Sequence, residues 1–188
     1  MKKINVQFDE STIKRLTSLI GKTFTEYKCD PFIFSNAVYD IVGICTDETS
    51  YAFTNFVEST DYYGTIEDVA MFCMQEMPVD QMHSMIEDET LISTPVNSKI
   101  LRINIVNEHQ RLFKNEVQTY DVMLTRGVIF ETEDGFEISL EKNVWFSEMI
   151  TVRKGYHLID TFSSPSDFAG EWEGEFRGKC TRSIITLQ

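Results

Sequence analysis

The sequence predicts an α+β fold that is mainly β, in which two similar β-meanders form small barrel-like halves, each preceded by a short helix. Three observations indicate this class. Most patterned segments alternate with a period of two residues, only two short segments have helical spacing, and related strings of residues occur in both halves of the chain. With 188 residues, 42% of them hydrophobic, the chain can bury a sizeable core.

The first short helix is predicted between Asp9 and Gly21. Its apolar residues follow the spacing of one helix face: Ile13, Leu16, Leu19 and Ile20. Asp9 or Ser11 can cap the first turn, and Gly21 can end the helix in a left-handed conformation.

A second short helix is predicted over residues 78–88. The same apolar spacing returns there at Val79, Met82, Met85 and Ile86. Pro78 fits the first turn of a helix, and Asp80 favours the positive end of the helix dipole.

Eight segments are predicted to be strands, because β-branched and aromatic residues dominate them or alternate with polar ones. These segments are 38–46, 50–57, 99–106, 117–125, 128–132, 136–140, 144–152 and 156–161. Residues 66–77 fit either a helix or a strand, and the strand is favoured because the proposed repeat aligns them with the alternating segment 148–152. Residues 183–187 are predicted to close the sheet as a last strand.

The proposed repeat divides the chain into residues 1–90, a helix plus an acidic β half, and residues 91–188, a second β half with a Gly-rich acidic tail. Tyr39-Asp40-Ile41-Val42 aligns with Tyr120-Asp121-Val122-Met123, and Glu67 aligns with Glu148 after gaps. The alternative explanation is a chance resemblance between two β-rich stretches. The halves could also form one compact two-repeat domain.

Charge is strongly segregated along the chain. Residues 29–98 contain 13 Asp and Glu and no Lys or Arg, whereas the whole chain has a net charge of −13. We call this stretch the acidic window. Such a concentration of like charge costs self-repulsion, and it serves either solubility or the docking of a cationic partner.

Several classes of partner are excluded by these patterns. Direct binding to nucleic acid is not expected, because phosphates need Lys and Arg on the protein. No apolar run approaches the roughly 20 residues of a membrane span, and the basic start of the chain leads into acids rather than an apolar stretch. The sequence therefore predicts no membrane association and a cytoplasmic location, with the four cysteines reduced.

No catalytic motif identifies a nucleophile with its base, so an enzyme is the less favoured class. Soft ligands gather between Met71 and Met85, with Cys73 and His83 among them. Copper prefers such ligands, but methionine is an ordinary core residue and an adaptable contact surface. The sequence predicts no metal site and no cofactor.

The function favoured by the sequence is a non-enzymatic acidic protein that docks on a basic protein or peptide, in the manner of an inhibitor or immunity protein. The predicted partner-binding residues lie where acids and aromatics alternate in the acidic window. They are Glu58, Asp61, Tyr62, Tyr63, Glu67 and Asp68.

Two alternatives remain. One is a small-molecule or metal-binding β-barrel, with or without enzyme activity, that has a carboxylate-lined cleft between the halves. Its candidate carboxylates are Asp40, Asp121, Glu67 and Glu148. The other is a structural subunit whose sheet edges are covered by copies of itself.

Overall fold

The computed structural model describes residues 3–31, 36–39, 41–62, 64–142 and 147–188, and at Tyr62 it describes the backbone only. Strands account for 61% of the described residues, which confirms the prediction of a mainly β protein. The strands are β1 (Ile4–Val6), β2 (Thr23–Cys29), β3 (Ala37–Tyr39), β4 (Ile41–Thr46), β5 (Ser50–Tyr62), β6 (Thr65–Glu76), β7 (Ile92–Lys114), β8 (Val117–Thr132), β9 (Glu137–Lys142), β10 (Met149–Gly155) and β11 (Phe176–Leu187). The helices of the described residues are α1 (Glu10–Ser18) and α2 (Pro165–Gly170).

Helix α1 forms where the sequence predicts the first helix. The Asp9 side chain accepts a hydrogen bond of 2.7 Å from the backbone N–H of Thr12, as an N-cap residue does. Leu16 and Leu19 are fully buried on the inner face of this helix. Gly21 follows with a φ of +82°, a left-handed conformation that ends the helix at little cost for glycine.

All eleven strands belong to one large sheet in the order β3-β10-β9-β8-β7-β2-β4-β5-β6, with β1 beside β8 and β11 beside β7. Strand β1 is parallel to β8, and the other pairs are antiparallel. The long strand β7 organises the sheet. One of its edges pairs with β8, and the other pairs first with β2 and then with β11.

The sheet curls so that strands distant in its order approach each other. The ring of Phe130 on β8 lies 5.6 Å from Phe24 and 6.0 Å from Phe53, between centroids. The side-chain amide of Asn55 on β5 donates a hydrogen bond of 2.7 Å to the carbonyl of Ser147, next to β10. This curled part, which encloses the largest core cluster and α1, is called the body.

Beyond the body, β7, β8 and β11 continue as a three-stranded arm made of residues 107–114, 117–125 and 176–183, flanked by β1. Its β7–β8 turn, Asn115-Glu116, has φ values of +48° and +64°, the conformation of the tight turns that suit twisted hairpins. Helix α2 packs on one face of the arm, with the Phe168 ring 6.2 Å from that of Tyr120. Gly178 permits this packing, since a Cβ there would lie 2.5 Å from Cδ1 of Trp172.

The predicted second helix over residues 78–88 is wrong. Only a single 3-10 turn forms, at Val79–Gln81, and the chain then becomes extended at Met82. Tertiary packing overrides the helical spacing, because Met82 is buried against Ile41 and Ala52 on the outside of the sheet. The ambiguous segment 66–77 is a strand, as predicted, and forms β6.

Two further strand predictions differ from the structure. Residues 117–132 form one strand rather than two, and residues 156–161 form a 3-10 turn at Leu158–Thr161 instead of a strand. This turn buries Leu158 and Phe162 against Val106 and Ile129, a contact that the local alternation of residues does not encode.

The two-repeat division is not confirmed by the structure. The predicted halves share one continuous sheet, joined through β7, and no α-helix of the described residues precedes the second half. The aligned strings also differ in setting. Tyr39 ends the short strand β3 at residue 39, whereas Tyr120 and Asp121 lie inside the long strand β8.

Candidate functional site

The tip of the β5–β6 hairpin is an exposed, charged feature of the fold. Strands β5 and β6 pair from Tyr51 opposite Glu76 out to Tyr62 opposite Thr65. Val69 and Ala70 are fully buried, but residues 64–68 of β6 and its turn are exposed, as are residues 57–59 of β5. Because exposure extends over both faces of the ribbon, the hairpin projects from the body. We call residues 57–68 the acidic hairpin; six residues per strand span about 20 Å.

The register places acids on both faces of this ribbon. Side chains alternate along a strand, and directly opposed residues share a face. Glu58 and Glu67 therefore lie on one face, since they oppose Val69 and Thr60. Asp61 and Asp68 lie on the other face. A ribbon that is acidic on both faces can meet cationic groups on either side.

Exposed apolar side chains lie among these acids. Phe56 and Val57 are each 41% exposed, and Ile66 is 70% exposed. Phe56 shares the face of Glu58, whereas Val57 and Ile66 share the face of Asp68. Apolar and aromatic anchors ringed by polar residues are the composition of protein-binding hot spots.

Charge pairing separates the acidic window from the rest of the protein. Elsewhere, carboxylates meet cations at short distances, for example Glu108 with Arg182 at 2.6 Å and Glu141 with Arg153 at 2.7 Å. Within the described part of the acidic window, one carboxylate forms an ion pair: Glu48, with Lys22 at 2.8 Å. Glu58, Glu67 and Asp68 of the hairpin form no ion pair with a described cation of this chain.

Two cations hold the base of the acidic hairpin in place. The ammonium group of Lys142 donates a hydrogen bond to the carbonyl of Ala70, and the Arg15 guanidinium donates one of 3.3 Å to the carbonyl of Met74. Both carbonyls belong to β6, the end strand of the sheet path. Burial, together with the nearby charge of Arg126, lowers the pKa of Lys142 to about 7. The hairpin therefore projects from a fixed base.

The predicted partner-binding residues lie on this hairpin as far as the structure describes them. Asp61 accepts a hydrogen bond of 2.8 Å from the backbone N–H of Gly64, which shapes the turn. Asp68 accepts one of 2.7 Å from the hydroxyl of Ser59. Tyr63 and the side chain of Tyr62 lie outside the described residues.

The carboxylates of the predicted cleft lie on separate elements. Asp121 is buried in the arm, Glu67 lies on the exposed hairpin, and Glu148 accepts a hydrogen bond from the hydroxyl of Tyr39 at the β3–β10 edge. No hydrogen bond or ion pair joins any two of these three. Asp40 lies outside the described residues.

A histidine–carboxylate pair in the arm was not predicted from the sequence. Nε2 of His109 donates a hydrogen bond of 2.7 Å to Oδ1 of Asp121, and the Gln118 amide donates one of 2.9 Å to Oδ2. Burial on its own raises the pKa of Asp121, but these two hydrogen bonds, together with the charges of His109 and Lys3, outweigh it and hold that pKa below its usual value. The sequence signal that could have found this pair is the tight turn at Asn115-Glu116, because strands that pair on either side of it bring His109 close to Asp121.

A cavity, two buried thiols and the positions of metal-ligating side chains also bear on whether the described residues form a reaction centre. A cavity of about 270 Å³ lies between Lys28 and the segment that carries Met82 and His83, slightly below the roughly 300 Å³ at which small-molecule sites begin. Burial raises the pKa of Cys29 and of Cys180 to about 12, so both thiols stay protonated and unreactive. Across the described ranges, no three His, Cys, Asp or Glu side chains are placed to hold a metal.

Comparison of the chain with protein-family models, with curated proteins and with solved structures gave no match. Within the described ranges, neither helix has the length and apolar character required to span a membrane.

Proposed function

We propose that this protein is a non-enzymatic acidic binding protein that docks on a basic protein through the acidic hairpin, in the manner of an inhibitor or immunity protein. The observation that supports this proposal is the projecting ribbon with acids on both faces and exposed Phe56, Val57 and Ile66 between them. Nothing in such a role requires a nucleophile or a cofactor. A basic cleft requires negative charge and apolar anchors.

The expected electrostatic contribution follows from the exposure of the hairpin. An exposed ion pair contributes roughly 0.5 kcal/mol, and reversing one charge replaces that attraction by a repulsion of comparable size. Reversal of three acids therefore costs about 3 kcal/mol, which is more than a hundredfold in Kd. The same reasoning makes binding sensitive to salt, because these charges are exposed to solvent.

Affinity capture from a lysate of the source organism tests the proposal with two triple variants. The hairpin variant is Glu58→Lys/Glu67→Lys/Asp68→Lys. The matched control is Glu133→Lys/Glu171→Lys/Glu173→Lys, which changes the net charge equally at exposed acids outside the acidic window.

We expect the wild type and the control to retain the same basic protein, identified by mass spectrometry and released by high salt, and the hairpin variant to lose it. Equal retention by all three proteins would refute the proposal. So would the absence of any retained basic protein from the wild-type sample at low salt.

A further inference from the structure

The arm has a cationic face on the side away from α2. On β7 and β11 this face carries Arg111 and Lys179, which stand directly opposite each other, and Lys3 approaches Asp121 from the end of β1. We call Lys3, Arg111 and Lys179 the cationic face. Lys3 and Lys179 are exposed.

The charges of this face are unbalanced. Like charges directly opposed on neighbouring strands destabilise a sheet unless something neutralises them. Asp121 stands opposite Arg111 on β8, and its two oxygens accept hydrogen bonds from His109 and Gln118, so one carboxylate faces the three cations. Among the described residues, the three cations form no ion pair, and Nε of Arg111 is buried without a hydrogen-bond partner.

Apolar surface accompanies these cations. The half-buried ring of Phe113 lies on the same face, with Nζ of Lys179 5.2 Å from its centroid. Half-buried Met123 stands opposite His109. Methionine and aromatic rings adapt well to apolar side chains of a partner. The face thus combines cations with apolar surface, as the acidic hairpin combines carboxylates with Phe56 and Ile66.

We propose that the acidic hairpin of one copy of this protein docks on the cationic face of a second copy. Charge complementarity carries the inference: Glu58, Glu67 and Asp68 form no ion pair with a described cation, and Lys3, Arg111 and Lys179 form none with a described anion. This step rests on the proposed function, because it assigns a partner to the same hairpin. The two surfaces differ, so the contact is head-to-tail and produces rings or chains of copies.

Charge-swapped variants test the contact by light scattering after gel filtration. The face variant is Lys3→Glu/Lys179→Glu, which changes two exposed residues, and the hairpin variant is again Glu58→Lys/Glu67→Lys/Asp68→Lys, which makes the hairpin net positive. The matched control, Lys99→Glu/Lys154→Glu, alters exposed lysines elsewhere. We expect the wild type and the control to associate at about 20 mM salt and to dissociate at about 500 mM, where the screening length falls from about 20 Å to about 4 Å.

Each charge-reversed variant alone should be monomeric at low salt, since its two surfaces carry charge of the same sign. Mixing the two variants should restore association, because a reversed hairpin then meets a reversed face. A restored mixture also shows that both variants fold. A monomeric wild type at low salt, or a mixture that stays monomeric, would overturn the inference.

The face variant separates this inference from the proposed function, because its acidic hairpin is intact. If the wild type is monomeric but the face variant still captures a basic protein that the hairpin variant loses, self-association is wrong and the proposed function stands. If the hairpin variant changes neither self-association nor capture, both are wrong.

Discussion

Replacing Lys142 by methionine should stabilise the protein near neutral pH. Lys142 is fully buried and its pKa is about 7 against an ordinary value of 10.5, with burial as the main cause and Arg126 as the second. At about pH 7 the unfolded chain holds a proton on this amine that the folded chain has half lost. The lowered pKa therefore destabilises the folded state by about 4 kcal/mol at this pH.

The substitution also removes a hydrogen bond. Lys142 donates to the carbonyl of Ala70, and an unsatisfied buried carbonyl costs roughly 1–2 kcal/mol. The net gain from Lys142→Met near neutral pH is therefore about 2–3 kcal/mol. Methionine is long and flexible enough to occupy the same space.

The pH dependence gives the sharper signature. A lysine whose folded pKa is depressed destabilises the fold fully below that pKa, and the penalty fades as the pH rises towards the unfolded pKa. Between about pH 7 and about pH 9 the penalty should fall by roughly 2 kcal/mol. The advantage of Lys142→Met over the wild type should shrink by the same amount.

Urea unfolding at both pH values measures this difference, with Lys154→Met as the control because Lys154 is exposed on the neighbouring strand β10. Subtraction between wild type and variant cancels the groups that both share, including the cysteines with raised pKa. An advantage of Lys142→Met that does not change with pH would refute the assignment of a lowered pKa to Lys142.

Three further substitutions test other parts of the fold, each by urea unfolding. Glu141→Gln should destabilise by about 3–5 kcal/mol, because this buried carboxylate is shared by two guanidinium groups at 2.7 and 3.1 Å; a loss below about 1 kcal/mol would contradict the buried network. Gly178→Ala should cost about 1–3 kcal/mol through its clash with the α2 segment, whereas Gly170→Ala, with nothing within 4 Å, should be close to neutral. Asp121→Asn should destabilise by about 1–3 kcal/mol at about pH 6, and the gap should close as the pH falls through the lowered pKa of Asp121; a gap that persists in acid would contradict its pairing with His109.

Local signals in the sequence were sufficient to predict α1 and most of the strands. The N-cap Asp9, the apolar spacing behind it and Gly21 located α1, and β-branched alternation located most strands. The failure at residues 78–88 is instructive. The helical spacing there reflects Met82 packing on β4 and β5 from an extended segment, and a one-dimensional pattern cannot distinguish the two.

The local patterns in the sequence did not show which distant strands pair, or in which register. The register that puts His109 near Asp121 depends on a bulge that leaves Thr119 without a partner in β7, and a second bulge at Arg126 directs that side chain to Glu141. The repeat suggested by short strings is not confirmed, and its candidate carboxylates Asp121, Glu67 and Glu148 lie on separate elements. The acidic window was visible at once, but its projection as a two-faced ribbon depends on how β5 and β6 leave the body.

Amide hydrogen exchange of the protein alone and with its captured basic partner tests the central claim most directly. We predict that protection on binding is concentrated in residues 57–68 of the acidic hairpin and fades at high salt. The account would be contradicted by protection confined to another surface, such as the cavity beside His83, with the hairpin amides exchanging at the same rate in both samples.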